Sequence, residues 1–313
     1  MRRKMFKFKR IYYLETNALY ALSNSFNDIV DSKINTVTSI FALQEIVDGI
    51  DAKTFFKRKV LLDKVCTSKI EIYPYLPKEC IATAFKLDVS DLPNILNEKV
   101  LLQKQIEFIR NASSFDEYQN KLESELGIDS VKTKVSDDER EQQYKRTISK
   151  KIEVDRMNIK KIKKEQKDNP TYVEIDINKA FGLEKSESDI DTNSYEAILL
   201  RYVLDSLHIT YEEEDIIKAM IQRDKSALVA ALLGNLMYSA SKGFEFDKKL
   251  AGRNDVNDLI HLFYLRNENY IIVSDDKIFE ISTVKDMRIK TNELLEFIMG
   301  EADKNQKKIY KNT

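Results

Sequence analysis

Two short runs of uninterrupted apolar residues, Ile11-Tyr12-Tyr13-Leu14 and Tyr270-Ile271-Ile272-Val273, do most to limit what this chain can become. A run without polar alternation offers water no face. Each therefore reads as a strand buried on both sides, as in parallel sheets. The first ends in Glu15-Thr16-Asn17, the second in Ser274-Asp275-Asp276. A helical pattern (Ala18, Leu19, Leu22) follows the first at once, with Thr16 or Asn17 placed to cap it. Thr36-Val37-Thr38-Ser39 then leads into Ile40, Leu43, Ile46 and Val47 at helical spacing, and Phe55, Phe56, Val60, Leu61, Leu62 and Val65 suggest a further helix. Ile70-Glu71-Ile72-Tyr73 alternates like a strand and stops at Pro74. Strand, helices, strand in that order indicates an α/β fold with a parallel sheet.

The character changes over 78–245. Residues 81–127 read mostly as helix, and 131–169 carry 13 Lys/Arg against 8 Asp/Glu with few apolar anchors. That stretch is either a solvated helical hairpin or partly disordered. Helical periodicity resumes at Ala197–Leu204, Ile216–Ile221 and Ala227–Tyr238. The α/β pattern then returns, with a helix over Asp255–Leu265, the strand Tyr270–Val273, a short helix near Lys277–Ile281, a weak strand near Arg288–Lys290 and a terminal helix through Leu294, Leu295 and Phe297. The expected organisation is one discontinuous domain, 1–77 with 246–300, a long mainly helical insertion over 78–245, and a polar tail, 301–313, that frays.

Only 7 Gly and 4 Pro occur, which disfavours a turn-rich β-sandwich. A third of the residues are charged, yet they nearly cancel to a net charge of -1, so binding to nucleic acid must come from local patches. Cys66 and Cys80 have no CxxC spacing and read as a reduced intracellular pair. The basic stretch before Arg10 is not followed by a signal-peptide apolar region, and no apolar run suits a membrane span. A soluble cytoplasmic protein with no membrane partner is the expectation.

Ligands of parallel sheets bind outside the carboxyl ends of the strands, where loops and helix N-termini converge. Glu15 and Asp276 would project into one crevice there. Glu45 lies on the apolar helix Ile40–Val47, an awkward place for a carboxylate unless something satisfies it. Asp255 and Asp258 share a face at the start of a helix. Clustered carboxylates raise one another's pKa unless a cation neutralises them. Oxygen donors without a Cys or His cluster suit Mg²⁺ or Mn²⁺. Paired ions of this kind support phosphodiester hydrolysis. Each acid also has an ordinary structural role open to it: Glu15 and Asp276 as helix caps, Asp255 and Asp258 as N-terminal helix charges.

These residues resemble those of a known family. Tyr12-Tyr13-Leu14-Glu15-Thr16-Asn17-Ala18-Leu19 looks like the opening strand of PIN-domain nucleases, which carries Asp-Thr-Asn. Thr38-Ser39-Ile40 through Glu45-Ile46 resembles the second motif, Asn257-Asp258-Leu259-Ile260-His261-Leu262 the third, and Ile271 through Phe279, with Ser274-x-Asp276, the fourth. The resemblance covers residues 10–75 and 250–298. It implies a PIN-like sheet and a metal-dependent endoribonuclease leaving 5′-phosphate and 3′-hydroxyl ends. Glu15, Glu45, Asp258 and Asp276 would be the metal-site acids and Asp255 a fifth, with Asn17 and Ser274 as neighbouring hydrogen-bonders. A toxin or phage-defence setting, and an antitoxin or regulatory partner, follow by analogy. The first acid is Glu where the family carries Asp, which moves the carboxylate by ~1.5 Å, and the helical insertion is a second departure.

Lys160, Lys161, Lys163 and Lys164 could grip phosphates or form a solvated face. His208 and His261 read as packed or surface histidines, His261 being the one that could border the cleft. No GxSxG, P-loop or HExxH pattern occurs. The other readings are a degenerate PIN-like module that binds RNA or a protein without cutting, a flap-endonuclease-like DNA nuclease, and an interaction protein working through its insertion, in each case as a monomer or a homo-oligomer.

Overall fold

The computed structural model describes residues 10–32, 34–127, 157, 192, 195–223, 258, 260–265, 269–280 and 287–309, excepting the side chains of 195, 196, 280 and 301–309. Both apolar runs are strands, β1 (Ile11–Leu14) and β4 (Tyr270–Val273). With β2 (Asn35–Ser39), β3 (Glu71–Tyr73) and β5 (Arg288–Ile289) they form a five-stranded sheet ordered β3-β2-β1-β4-β5. Every pairing is parallel. The register sets Ile11 beside Asn35 and Tyr270, and Leu14 beside Val273.

Alternate residues of the strands enter two different cores, as a strand buried on both faces requires. Tyr13, Val37, Tyr73, Tyr270 and Ile272 face one. It is completed by α5 (Pro77–Ala84), α8 (Tyr195–Ser206), α9 (Glu213–Gln222) and a 3₁₀ turn at His261–Tyr264. Tyr12, Leu14, Ile271 and Val273 face the other. That side is covered by α1 (Thr16–Leu22), α2 (Phe26–Asp31), α3 (Ile40–Asp48), α4 (Phe55–Thr67), α6 (Pro93–Asn111), α7 (Phe115–Leu126) and α10 (Thr291–Ile309). The result is a helix–sheet–helix sandwich. Among the described residues, buried side chains of the helices between 77 and 223 contribute to both cores.

Thr36–Ser39, which the sequence pattern left without an element, is the inner part of a strand, although Thr36, Thr38 and Ser39 are polar and buried. Thr38 Oγ1 donates to the Leu14 carbonyl at 2.8 Å, so its hydroxyl is satisfied across the sheet. Glu15 takes the capping role that was one of its expected alternatives, accepting from the backbone N–H groups of Asn17 and Ala18, and Thr16 and Asn17 do not cap α1. The terminal helix continues through Gly300 to Ile309 in place of a frayed tail. Among the described residues no helix is long and apolar enough to cross a membrane.

Candidate functional site

The chain builds β1, β2 and β3 outward in one direction, then returns to lay β4 and β5 on the opposite side of β1. Strand order therefore reverses between β1 and β4, and a crevice forms at their carboxyl ends. Glu15 follows β1 directly, while Ser274 and Asp276 follow β4. The third contributor, Glu45, lies on α3, whose N-cap Ser39 is the last residue of β2.

Side-chain contacts tie these pieces together. Asn17 Nδ2 donates to Asp276 Oδ2 at 2.6 Å. The Thr16 hydroxyl donates to Glu45 Oε2. The same oxygen meets His261 Nε2 at 2.9 Å, and His261 Nδ1 meets the Tyr13 hydroxyl at 2.7 Å. Tyr13 continues to Ser39 Oγ at 2.8 Å, which also accepts the Ala42 N–H. A polar chain thus runs Ser39–Tyr13–His261–Glu45–Thr16 through the end of the sheet. In the imidazolium form both His261 nitrogens donate, Nε2 to Glu45 and Nδ1 to the phenol oxygen, and the Tyr13 O–H donates in turn to Ser39 Oγ.

Burial makes the electrostatics strong. Glu15 is 1% exposed. Burial pushes its carboxyl up to about 7, and the charge of Asp276 adds to the rise. His261, the Asn17 N–H and the Ser274 hydroxyl pull it back. Glu45 goes the other way: burial opposes ionisation, but His261, Thr16 and Arg58 together hold its carboxyl below the usual range. Arg58 on α4 also donates to the Glu45 and Ile46 carbonyls at 3.0 and 2.8 Å, closing the end of α3. Gly49 leaves room for it, since a Cβ there would collide with the guanidinium. His261, also 1% exposed, has its pKa raised: burial lowers it, but Glu45, Glu15 and Asp258 outweigh that.

The expected site residues come together in large part. Glu15, Glu45 and Asp276 share this neighbourhood, and half-buried Asp258 lies near enough for its charge to act on His261. Asn17 bonds Asp276, and Ser274 Oγ accepts the Asp276 N–H at 3.1 Å, as neighbouring hydrogen-bonders should. Asp275 is committed elsewhere, accepting from the Thr291 hydroxyl and N–H at 2.5 and 3.2 Å. Asp276 is therefore the acid of this loop that faces the crevice. Asp255 and Lys160, Lys161, Lys163 and Lys164 lie outside the described residues. His208 is exposed, at a left-handed φ of 55° after α8. Sequence reasoning placed His261 only at the border of the cleft and gave Tyr13 and Thr16 no part in the site. The one available signal was that His261 stands three residues after Asp258.

The oxygen donors suit a hard cation, and the repulsion between Glu15 and Asp276 is what such an ion would relieve. Among the described residues, no three His, Cys, Asp or Glu side chains are already drawn close enough to hold an ion. Glu15 is turned onto α1, while the contacts of Glu45 and Asp276 fall on one oxygen each, Oε2 and Oδ2. No family model, curated protein or solved structure matches this chain.

Proposed function

We propose that this chain is a metal-dependent nuclease of PIN-like type that hydrolyses RNA phosphodiester bonds. One observation carries the reading. Acids that follow β1 and β4 and an acid of helix α3 converge at the switch point of a parallel sheet, one of them buried with its pKa raised to about 7. Isolated buried carboxylates are costly, so their gathering needs a reason.

Glu45 and Asp276, with Asp258 beside them and Glu15 behind, would hold one or two Mg²⁺ or Mn²⁺ ions. Such an ion, when bound, supplies a Lewis acid that lowers the pKa of water and offsets charge on the phosphoryl oxygens. The protein's own contribution is orientation. Thr16 and His261 fix one oxygen of Glu45, and Asn17 fixes one oxygen of Asp276. Supports of this kind behind metal-binding carboxylates sharpen both geometry and affinity. Glu15 gains a hydrogen-bonded seat under the crevice from the α1 backbone, which favours its ionised form once a cation is near.

A second reading has its own observation. Both Glu15 oxygens are engaged by α1, and His261 already supplies buried positive charge, which suits a PIN-like module that binds RNA without cutting it. Cleavage of single-stranded and structured RNA with Mn²⁺ separates the two. The nuclease reading expects Asp258→Asn and Asp276→Asn each to lower the rate at least a hundredfold, and EDTA to abolish it. Equal cleavage by wild type and variants would sink it, binding without cutting would favour the second reading, and cutting of branched DNA alone would indicate a flap-type nuclease.

A further inference from the structure

A second concavity adjoins the acid crevice. It is a groove of about 670 Å³ between α1 and α4, lined by Asn17, Tyr20, Phe56, Lys57, Val60 and Lys64 among others. Asn17 belongs to both features, since its side chain bonds Asp276 at 2.6 Å. On α4, Phe55, Leu61, Leu62 and Val65 are buried in the core, yet Phe56 is 63% and Val60 51% exposed. Phe56, Val60 and Lys64 recur every four residues, which puts them in one stripe along the helix. Two cations stand against the Tyr20 ring, Lys57 Nζ at 5.0 Å and the Arg58 guanidinium at 6.0 Å from its centroid. Lys64 Nζ donates to Asn24 Oδ1 at 2.6 Å, which leaves an ammonium two further protons to give.

Aromatic faces interleaved with ammonium groups are the chemistry that takes up unpaired bases and their phosphates. The charge pattern also has direction. Acids stand at the Asn17 end, where a cation would join them, and lysines stand farther along, where flanking phosphates need neutralising. A duplex keeps its base faces stacked and could not use Tyr20 or Phe56 in this way.

We propose that this groove is the track on which single-stranded RNA lies as it enters the acid crevice, with Tyr20 and Phe56 stacking on bases and Lys57 and Lys64 meeting phosphates. The direction of the track rests on the nuclease reading, whereas binding in the groove requires no cutting.

The test is fluorescence anisotropy of the full chain with a labelled 12-nucleotide single-stranded RNA of mixed sequence, in EDTA so that no cleavage intervenes. The variants are Phe56→Ala, Lys57→Glu with Lys64→Glu, and Lys104→Glu as an exposed lysine on α6 away from the groove. Phe56→Ala is expected to weaken binding at least fivefold. The double lysine variant is expected to weaken it at least tenfold and to flatten the dependence of log affinity on log salt by ~1.4, two phosphate contacts at ~0.7 each. Lys104→Glu should change neither quantity more than twofold. Groove variants indistinguishable from Lys104→Glu would overturn the proposal, as would duplex RNA binding as tightly as single-stranded RNA. Wild-type cleavage alongside unaltered binding in the groove variants would remove the track and leave the nuclease. Groove-dependent binding without any cleavage would do the reverse.

Discussion

Replacing Glu15 by Gln is expected to raise the stability of the fold at alkaline pH and to change it little at acid pH. The carboxyl titrates at its ordinary 4.5 in the unfolded chain and at about 7 in the folded one. Between those values the native state holds a proton that the unfolded state has released, so stability falls as pH rises and the loss is complete above 7. Moving a carboxyl from 4.5 to about 7 corresponds to ~3 kcal/mol. At pH 5 the same linkage amounts to ~1 kcal/mol, so the effect of the substitution should change by ~2 kcal/mol between pH 5 and pH 8.5. Gln keeps a carbonyl oxygen for one of the two α1 N–H groups, so the lost cap enters equally at both pH values. His261 has its own pH dependence: its raised pKa gives stability that is full below 6.5 and lost above its folded value. Comparing variant with wild type at each pH removes most of that contribution. Urea unfolding at the two pH values measures the difference. A Glu15→Gln effect of the same sign and size at both would refute the idea that Glu15 is held against its charge. Saturating Mn²⁺ at pH 8.5 should stabilise wild type and not the variant.

His261→Ala should destabilise by ~3 kcal/mol in urea unfolding, because it removes one of the two contacts of the Tyr13 hydroxyl and leaves Glu45 without its buried counter-ion. Tyr13→Phe should cost about 1–2 kcal/mol by the same measurement, with the far-UV spectrum unchanged, as only the contacts to Ser39 and His261 are lost. Asp275→Asn should lower the melting temperature through Thr291 while leaving Mn²⁺-dependent RNA cleavage intact. Asp276→Asn should abolish cleavage with little effect on melting.

What could be read from the chain in advance follows from how each feature is made. β1 and β4 were legible because burial on both faces demands continuous apolar residues, and nothing else about those segments competes. β2 was not, because Thr36, Thr38 and Ser39 are polar yet buried, Thr38 and Ser39 with their hydroxyls bonded internally, and so enter the interior without an apolar signature. Helix α4 shows why an apolar tally misleads: Phe56 and Val60 belong to the exposed stripe, not to the core. In the crevice, Glu15 and Asp276 announced themselves by standing at strand ends, and Glu45 by its awkward place on an apolar helix. The role of His261 had only the faint local sign of standing three residues after Asp258, since its partners Tyr13 and Glu45 lie at the other end of the chain. Only the reversal of strand order beside β1 brings those segments into contact.

Binding of Mn²⁺, followed by loss of the free-ion signal in electron paramagnetic resonance, bears most directly on whether these acids form one cation site. Wild type should take up one or two ions per chain at pH 7.5, with the affinity falling at least tenfold in Asp276→Asn and in Glu15→Gln. No uptake at millimolar Mn²⁺, or uptake that both variants retain unchanged, would contradict a shared site at the end of β1 and β4.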